Sequence, residues 1–325
     1  MIVGCASWGM RSPRHIQIRP YAGQHFHVIS RVVDRRFIFG EEEKRVFMRY
    51  MRQLEGFSGV RILAYCIMSN HFHILLHVPV RPEQMTQKEI WDRMKFIYPE
   101  SRMSEFQEML EDFRNSGQTG RIREFYDRIT QRMYDLSSFV KELKQKFSVY
   151  FNKRTGRKGT LWEERFKSVL VEGNDNCLLH VASYIDLNPV RAGIAKIDAP
   201  YPWSSYGEAC RGGHLAQSAL TYILHPHDRG EAWEQVREKY KQILNLRTAS
   251  ENADQKVLRR SHLKFSSRIR SFSEGFVIGT REFIEEFYRE KIKWLHPGRK
   301  KIAYNLEVKG EDGVHSYRNV PNRNE

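Results

Sequence analysis

The sequence predicts an α+β fold: a ferredoxin-like antiparallel sheet with helices on one face, inserted helices, and a mainly helical C-terminal module. Three observations carry the prediction. Residues 24–32, 60–68 and 71–79 are apolar, β-branched runs of strand length. Residues 41–54, between the first two runs, repeat their apolar positions at helical steps. The resulting order of strand, helix, strand, strand is how a ferredoxin-like sheet opens, and it leaves the other sheet face free for a site.

Taken in order, the first run alternates well enough to bury one face. The helix after it starts on Glu41, Glu42 and Glu43, which suit the positive end of a helix dipole. Val46, Phe47, Tyr50, Met51 and Leu54 form its apolar stripe. The second and third strands meet across the short polar Ser69-Asn70, a hairpin that places His71 and His73 at a strand's start. From Pro82 to about Asp135 the chain is polar and helical, with a break at Ser116–Gly120, and 82–134 reads as an inserted helical subregion. Ile122, Tyr126, Ile129, Met133, Leu136, Val140, Leu143, Phe147 and Tyr150 continue at steps of three and four. An unbroken helix over that span would be roughly 45 Å long, so a break near Ser137-Ser138 is expected. A basic, glycine-bearing loop over 152–160 leads to a last strand over 165–171. Asp175 is placed to cap a helix that runs to Asn188-Pro189, where the pre-proline position disfavours continuation. Leu178, Val181, Ala182 and Ile185 give that helix an apolar side, while His180, Tyr184 and Asn188 give it a polar one that would face the histidines. Residues 1–206 thus read as one domain and 207–304 as a basic, mainly helical accessory module. That module includes Lys256, Arg259, Arg260, Lys264, Arg268 and Arg270 with no acid between them. Residues 305–325 read as a flexible tail.

The chain has 325 residues, enough for a sizeable core. Its 54 Lys and Arg against 39 Asp and Glu give a net charge of +15, which favours a polyanionic partner, nucleic acid first and an anionic membrane second. No run approaches a membrane span, and Met1 to Met10 lacks the basic start and long apolar stretch of a signal peptide, so a cytoplasmic, nucleoid-associated location is expected. Cys5, Cys66, Cys177 and Cys210 are scattered, which argues against a zinc knuckle or a disulfide framework. Any metal must use histidine and oxygen ligands.

Histidines two apart occur three times, at 25/27, 71/73 and 225/227. The last pair flanks Pro226 and reads as turn. On a strand, His71 and His73 share a face, roughly 6.5–7 Å apart along the chain, and can offer two imidazoles to one cation. His77 shares that face but lies roughly 13 Å from His73, too far to ligate the same ion. Tyr184 and Asn188, four apart on a helix, can bring a phenol and an amide oxygen to the cation. His27, on the neighbouring strand, is a candidate to orient the metal histidines, and His180, on the Tyr184 face, is a candidate to shuttle the phenol's proton. Tyr150 is the rival nucleophile, but the residue four positions on is Arg154, which cannot ligate a cation. Lys153, Arg154, Arg157, Lys158, Arg165 and Lys167 read as a phosphate-contacting surface, with Trp162 offering a stacking face for an unpaired base.

The runs Tyr65 to His73, Gly156 to Ser168, Tyr184-Ile185-Asp186-Leu187-Asn188-Pro189 to Gly193, and Tyr201 to Tyr206 together resemble the single-tyrosine HUH transposases of insertion sequences, closest to the REP-associated tyrosine transposases. The resemblance covers about residues 20–206. It implies an HUH-type sheet and a metal-dependent nuclease and strand transferase acting on single-stranded or hairpin-forming repeat DNA through a 5′-phosphotyrosine. By position, His71, His73 and Asn188 match the metal ligands and Tyr184 the nucleophile. The mixed nitrogen and oxygen set suits Mg²⁺ or Mn²⁺. Members of the subgroup are often shorter, so the resemblance assigns no role to 82–134 or to the chain after 206. The other function class is a non-catalytic nucleic-acid-binding regulator on the same fold. The sequence leaves the oligomeric state open.

Overall fold

The computed structural model describes residues 23–224, 232–258, 277–287, 303–305 and 314–317, with Arg289. The 225/227 histidine pair and the basic residues Arg259 to Arg270 lie outside the described residues. The strands are β1 (Gln24–Arg31), β2 (Arg61–Ile67), β3 (His71–Val78), β4 (Lys167–Val171), β5 (Val277–Gly279), β6 (Ala303–Asn305) and β7 (His315–Tyr317). They form one sheet in the order β2-β3-β1-β4-β5-β7-β6. The first four strands pair antiparallel in the ferredoxin-like order. A parallel β4–β5 pair joins the extension to them.

One face of the sheet is built from the even-numbered residues of β1 and β3. Phe26, Val28, Phe72, Ile74 and Leu76 point into a core with α1 (Glu41–Ser58) and α5 (Leu136–Thr155). Helix α1 buries Val46, Phe47, Met51, Leu54 and Phe57, the predicted stripe carried one turn further. It stops at Gly59, whose backbone is left-handed at φ 74° and whose missing Cβ would stand 2.7 Å from the Tyr134 ring. The 82–134 stretch is α2 (Gln87–Met94), α3 (Glu100–Asn115) and α4 (Thr119–Thr130), whose Ile90, Met94, Leu110, Phe125 and Ile129 join the same core. The expected break falls at 131–135. Asp135 caps α5 by accepting the Ser138 N–H at 2.6 Å.

The second face is not open. It carries α6 (Asp175–Asp186), the single turn α7 (Asn188–Arg191), α8 (Ser205–Cys210), α9 (His214–Leu224) and α10 (Trp233–Leu258). The reason is compositional: Leu63, Ala64, Leu75, Val169 and Val171 make this face apolar too, and a sheet apolar on both sides needs two layers of cover. Asn174, rather than Asp175, caps α6, accepting the Cys177 N–H at 2.8 Å. Ala209, Ala216, Leu220, Ile223, Tyr240 and Leu244 pack into the same cluster as Leu63 and Leu75. The segment expected as a flexible tail contains β7, which pairs with β5 and β6 and buries Val314 and Ser316. Among the described residues, no helix is long and apolar enough to cross a membrane.

Candidate active site

The β1–β3 register sets Arg31 opposite His71 and Ile29 opposite His73, with His27 one step further along the same face. The His27 and His73 rings stack at 5.2 Å, and His27 Nε2 lies 3.0 Å from His73 Nδ1. The His71 ring meets His73 edge-on at 5.1 Å. His71 Nδ1 lies 2.7 Å from Asn70 Oδ1, an oxygen that can only accept, so Nδ1 carries the proton and Nε2 keeps its lone pair. The same logic frees His73 Nε2 when His73 Nδ1 donates to His27. Both imidazoles are held neutral. Burial lowers the His71 pKa to about 4, with Arg31 contributing. Burial also holds His73 well below its usual value, with His27 and His71 adding to the effect. Neutral imidazole is the ligand form, so binding a cation displaces no proton near pH 7.

Helix α6 brings Tyr184 of the same chain onto this pair. Its buried ring sits 5.9 Å from His73 and 6.0 Å from His27, edge-on to both. The Arg191 guanidinium lies over the ring at 4.8 Å and donates to the Tyr184 carbonyl at 2.8 Å. Asn188 Nδ2 donates to the carbonyls of Tyr184 and Ile185 at 2.9 and 3.3 Å, closing the end of α6 and leaving Oδ1 as the group this side chain offers. Among the described residues no three His, Cys, Asp or Glu converge for a metal.

The other sequence-derived residues sort differently. His180 shares the α6 face but lies 2.8 Å from Arg247 Nη1 on α10 through its Nδ1, a partner that helix periodicity cannot reveal. His77 stacks on His25 at 4.6 Å, outside the site. Trp162 is a correction: it is 8 % exposed, packs on Phe39, Phe72 and Phe147, and donates its indole N–H to Ser148 Oγ at 2.8 Å. It is a core anchor and offers no face to a base. Lys167 is exposed on the histidine face, aligned through Ile29 with His73. Lys158 and Arg165 are exposed and Arg157 is half-buried. Lys153 and Arg154 line a groove of about 1010 Å³ with Lys141, Lys146, Tyr50 and Tyr150, on the α5 side of the sheet. Arg154 already pairs with Glu43 at 3.2 Å and with the Tyr150 hydroxyl at 2.6 Å, which places Tyr150 away from the histidines. Asn70 and Arg191 are the residues that sequence reasoning missed. Asn70 looked like turn chemistry, and the only available signal was its place immediately before His71.

Burial of neutral histidines has a consequence for stability. His25 is lowered to about 3 and His77 to about 4, chiefly by burial, alongside His71 and His73. Their unfolded pKa is about 6.5, so between pH 6.5 and 4 the unfolded chain binds more protons than the folded one. Their contribution is complete above pH 6.5 and is lost on acidification, at up to ~1.4 kcal/mol per pH unit for each fully buried group and less for half-buried His71 and His77. Asp186 opposes this: burial raises it from 3.8 to about 6, so its cost appears as pH rises through that window. Glu55, also raised by burial, adds to this, but two carboxyls against four imidazoles still leave a net fall, and the urea midpoint should drop between pH 7 and 4.5. A flat midpoint would contradict the buried neutral imidazoles.

Residues 21–117, which hold β1, β2 and β3 with His27, His71 and His73, match the model of the family described as "Transposase IS200 like". The match covers the first three strands and the start of the helices that follow, and it makes this span similar to the IS200-like transposases. Among solved structures, the chain is similar to one described as "Structure of the REP associates tyrosine transposase bound to a REP hairpin". The identity is 16% and the TM-score 0.37, covering 59% of this chain and 82% of that chain. Comparison with curated proteins gives no match.

Proposed function

We propose that this protein nicks and rejoins single-stranded DNA, on hairpin-forming repeats, with Tyr184 as nucleophile and a divalent cation, Mg²⁺ or Mn²⁺, held by His71, His73 and Asn188. The observation that supports the reading most is the packing of the Tyr184 ring edge-on to His73 and His27, beside a His71 whose proton Asn70 holds on Nδ1. Tyr184 Oη would attack phosphorus as the bond to the 3′ oxygen breaks, leaving a 5′-phosphotyrosine and a free 3′-hydroxyl. The phenol gives up one proton and the departing oxygen takes one, so the step is balanced and reverses with another 3′-hydroxyl. What such a cation supplies when bound is polarisation of the phosphate and stabilisation of the charge that builds on its oxygens. Arg191, fixed over the Tyr184 ring, lowers the cost of the phenolate that a phenol of pKa about 10 must approach. Lys167 and Arg31 supply exposed positive charge on the same face.

The test is a denaturation-resistant protein–DNA adduct on labelled hairpins with single-stranded flanks, formed in Mn²⁺ and absent in chelator. Equal adduct in chelator removes the metal from the reading, and tight binding with no adduct favours the regulator. Asn70→Ala touches no DNA by this account. It frees the His71 tautomer and should lower metal-dependent cleavage about 10- to 100-fold, with partial recovery at raised metal concentration. A loss that excess metal leaves unchanged would place Asn70 in the fold alone.

A further inference from the structure

Between Arg31, the partner of His71, and the start of α1 at Glu41, the chain makes a 3-10 turn over Val33–Arg35. Asp34 and Arg35 both have left-handed backbones, with φ 56° and 53°, a conformation that side chains bearing a Cβ rarely adopt and that concentrates at functional sites. The turn is nevertheless firmly held. Asn70 Nδ2 donates to the Arg35 carbonyl at 2.9 Å, the Ile38 and Phe39 N–H groups both donate to the Ser69 carbonyl at 3.0 Å, and the Val33 N–H donates to the Leu161 carbonyl at 3.1 Å. What this rigid turn displays is Phe37, 82 % exposed, preceded by the exposed Arg35 and Arg36. Phe39, two residues on, is buried against Phe47 and Phe147, whereas Phe37 stays outside that core. A large ring left in water on a strained, clamped turn adds nothing to folding.

We propose that this turn is a nucleobase-stacking finger: Phe37 stacks on an unpaired base of the DNA strand beside the phosphate addressed by His71 and His73, and Arg35 and Arg36 take the neighbouring phosphates. The inference rests on the strand-cleavage reading above and names the part of the substrate held. Every base has a face that stacks on an aromatic ring, whereas bases inside a duplex are already stacked, so the finger selects unpaired strand without reading sequence. Asn70 bonds both the Arg35 carbonyl and His71 Nδ1, so one side chain links the finger to the imidazole.

The experiment uses the full chain in chelator and hairpin oligonucleotides carrying 2-aminopurine at successive single-stranded flank positions. Fluorescence should be quenched at one flank position by the wild type and not by Phe37→Ala, with affinity for the flanked hairpin falling about 5- to 150-fold in that variant. Phe37→Trp should restore both, and a blunt duplex should bind all three proteins alike. Because Phe37 is exposed, the Ala variant should unfold at the wild-type temperature, which separates stacking from folding. If Phe37→Ala binds and quenches like the wild type while the Tyr184 adduct still forms in Mn²⁺, the finger is refuted and the cleavage reading stands. If the wild type retains no single strand at all, both fall.

Discussion

A Tyr184→Phe protein should fold, bind hairpin DNA as the wild type does, and form no covalent adduct, with strand cleavage reduced by about 10⁴-fold or more. The substitution removes one oxygen and keeps the ring, so the edge-on contacts to His27 and His73 and the overlying Arg191 guanidinium remain. The bonds from Asn188 and Arg191 go to the Tyr184 backbone carbonyl and also remain. What is lost is the nucleophile. The comparison therefore separates chemistry from architecture, which an alanine at this buried position would not. An adduct persisting in Tyr184→Phe at wild-type yield would move the nucleophile elsewhere. Tyr150 is a poor heir, since it lies on the α5 side of the sheet with its hydroxyl bonded to Arg154.

The parts of this site that were legible in the sequence are those set by short-range geometry. Alternation in β1 and β3 fixes which face carries His27, His71 and His73, and the step of four from Tyr184 on α6 to Asn188 at the start of α7 lets the Asn188 amide bond back to the Tyr184 carbonyl. What periodicity cannot supply is the partner. His180 sits one turn from Tyr184 on the same helix, yet its bond goes to Arg247, 67 residues away. Trp162 sits in a run of cations, which is the context of a base-stacking residue, but its ring fills the space between Phe72 and Phe147. The roof over the histidine face was hidden for a related reason. The apolar residues of β2 and β4 read as strand core, and nothing local shows that α8, α9 and α10 must return to cover their second side. The sheet extension was beyond reach as well: β5, β6 and β7 have three residues each, too few for an alternation to register, and β5 joins β4 in parallel across more than a hundred residues.

Asp186→Ala should be among the most destabilising substitutions in the chain, because Asp186 is what holds the Tyr184 helix over the sheet. Its buried carboxylate accepts from the Tyr206 N–H at 3.0 Å, from Ser205 Oγ at 3.0 Å and from the Tyr240 hydroxyl at 2.8 Å. Those donors belong to α8 and α10, so one side chain joins three helices just past Tyr184. Burial pushes its pKa up to about 6, while the hydrogen bonds pull it down and keep the charged form in use at pH 7. Alanine leaves the Tyr206 N–H and the Tyr240 hydroxyl buried without this acceptor and Ser205 Oγ with only the Tyr65 carbonyl at 3.4 Å, an expected loss of about 3–5 kcal/mol in unfolding free energy. Asp186→Asn keeps one acceptor oxygen but turns an N–H₂ toward the donors, so it should fall between the two. Adduct formation should decline in the same order, following helix position rather than charge, since no part of the proposed chemistry passes through Asp186. Urea unfolding of the three proteins decides the matter. An Asp186→Ala protein with the wild-type midpoint but no adduct would mean that this carboxylate acts on the reaction itself, and the Tyr184 helix would then owe its position to the apolar contacts of Val181, Ala182 and Ile185 alone.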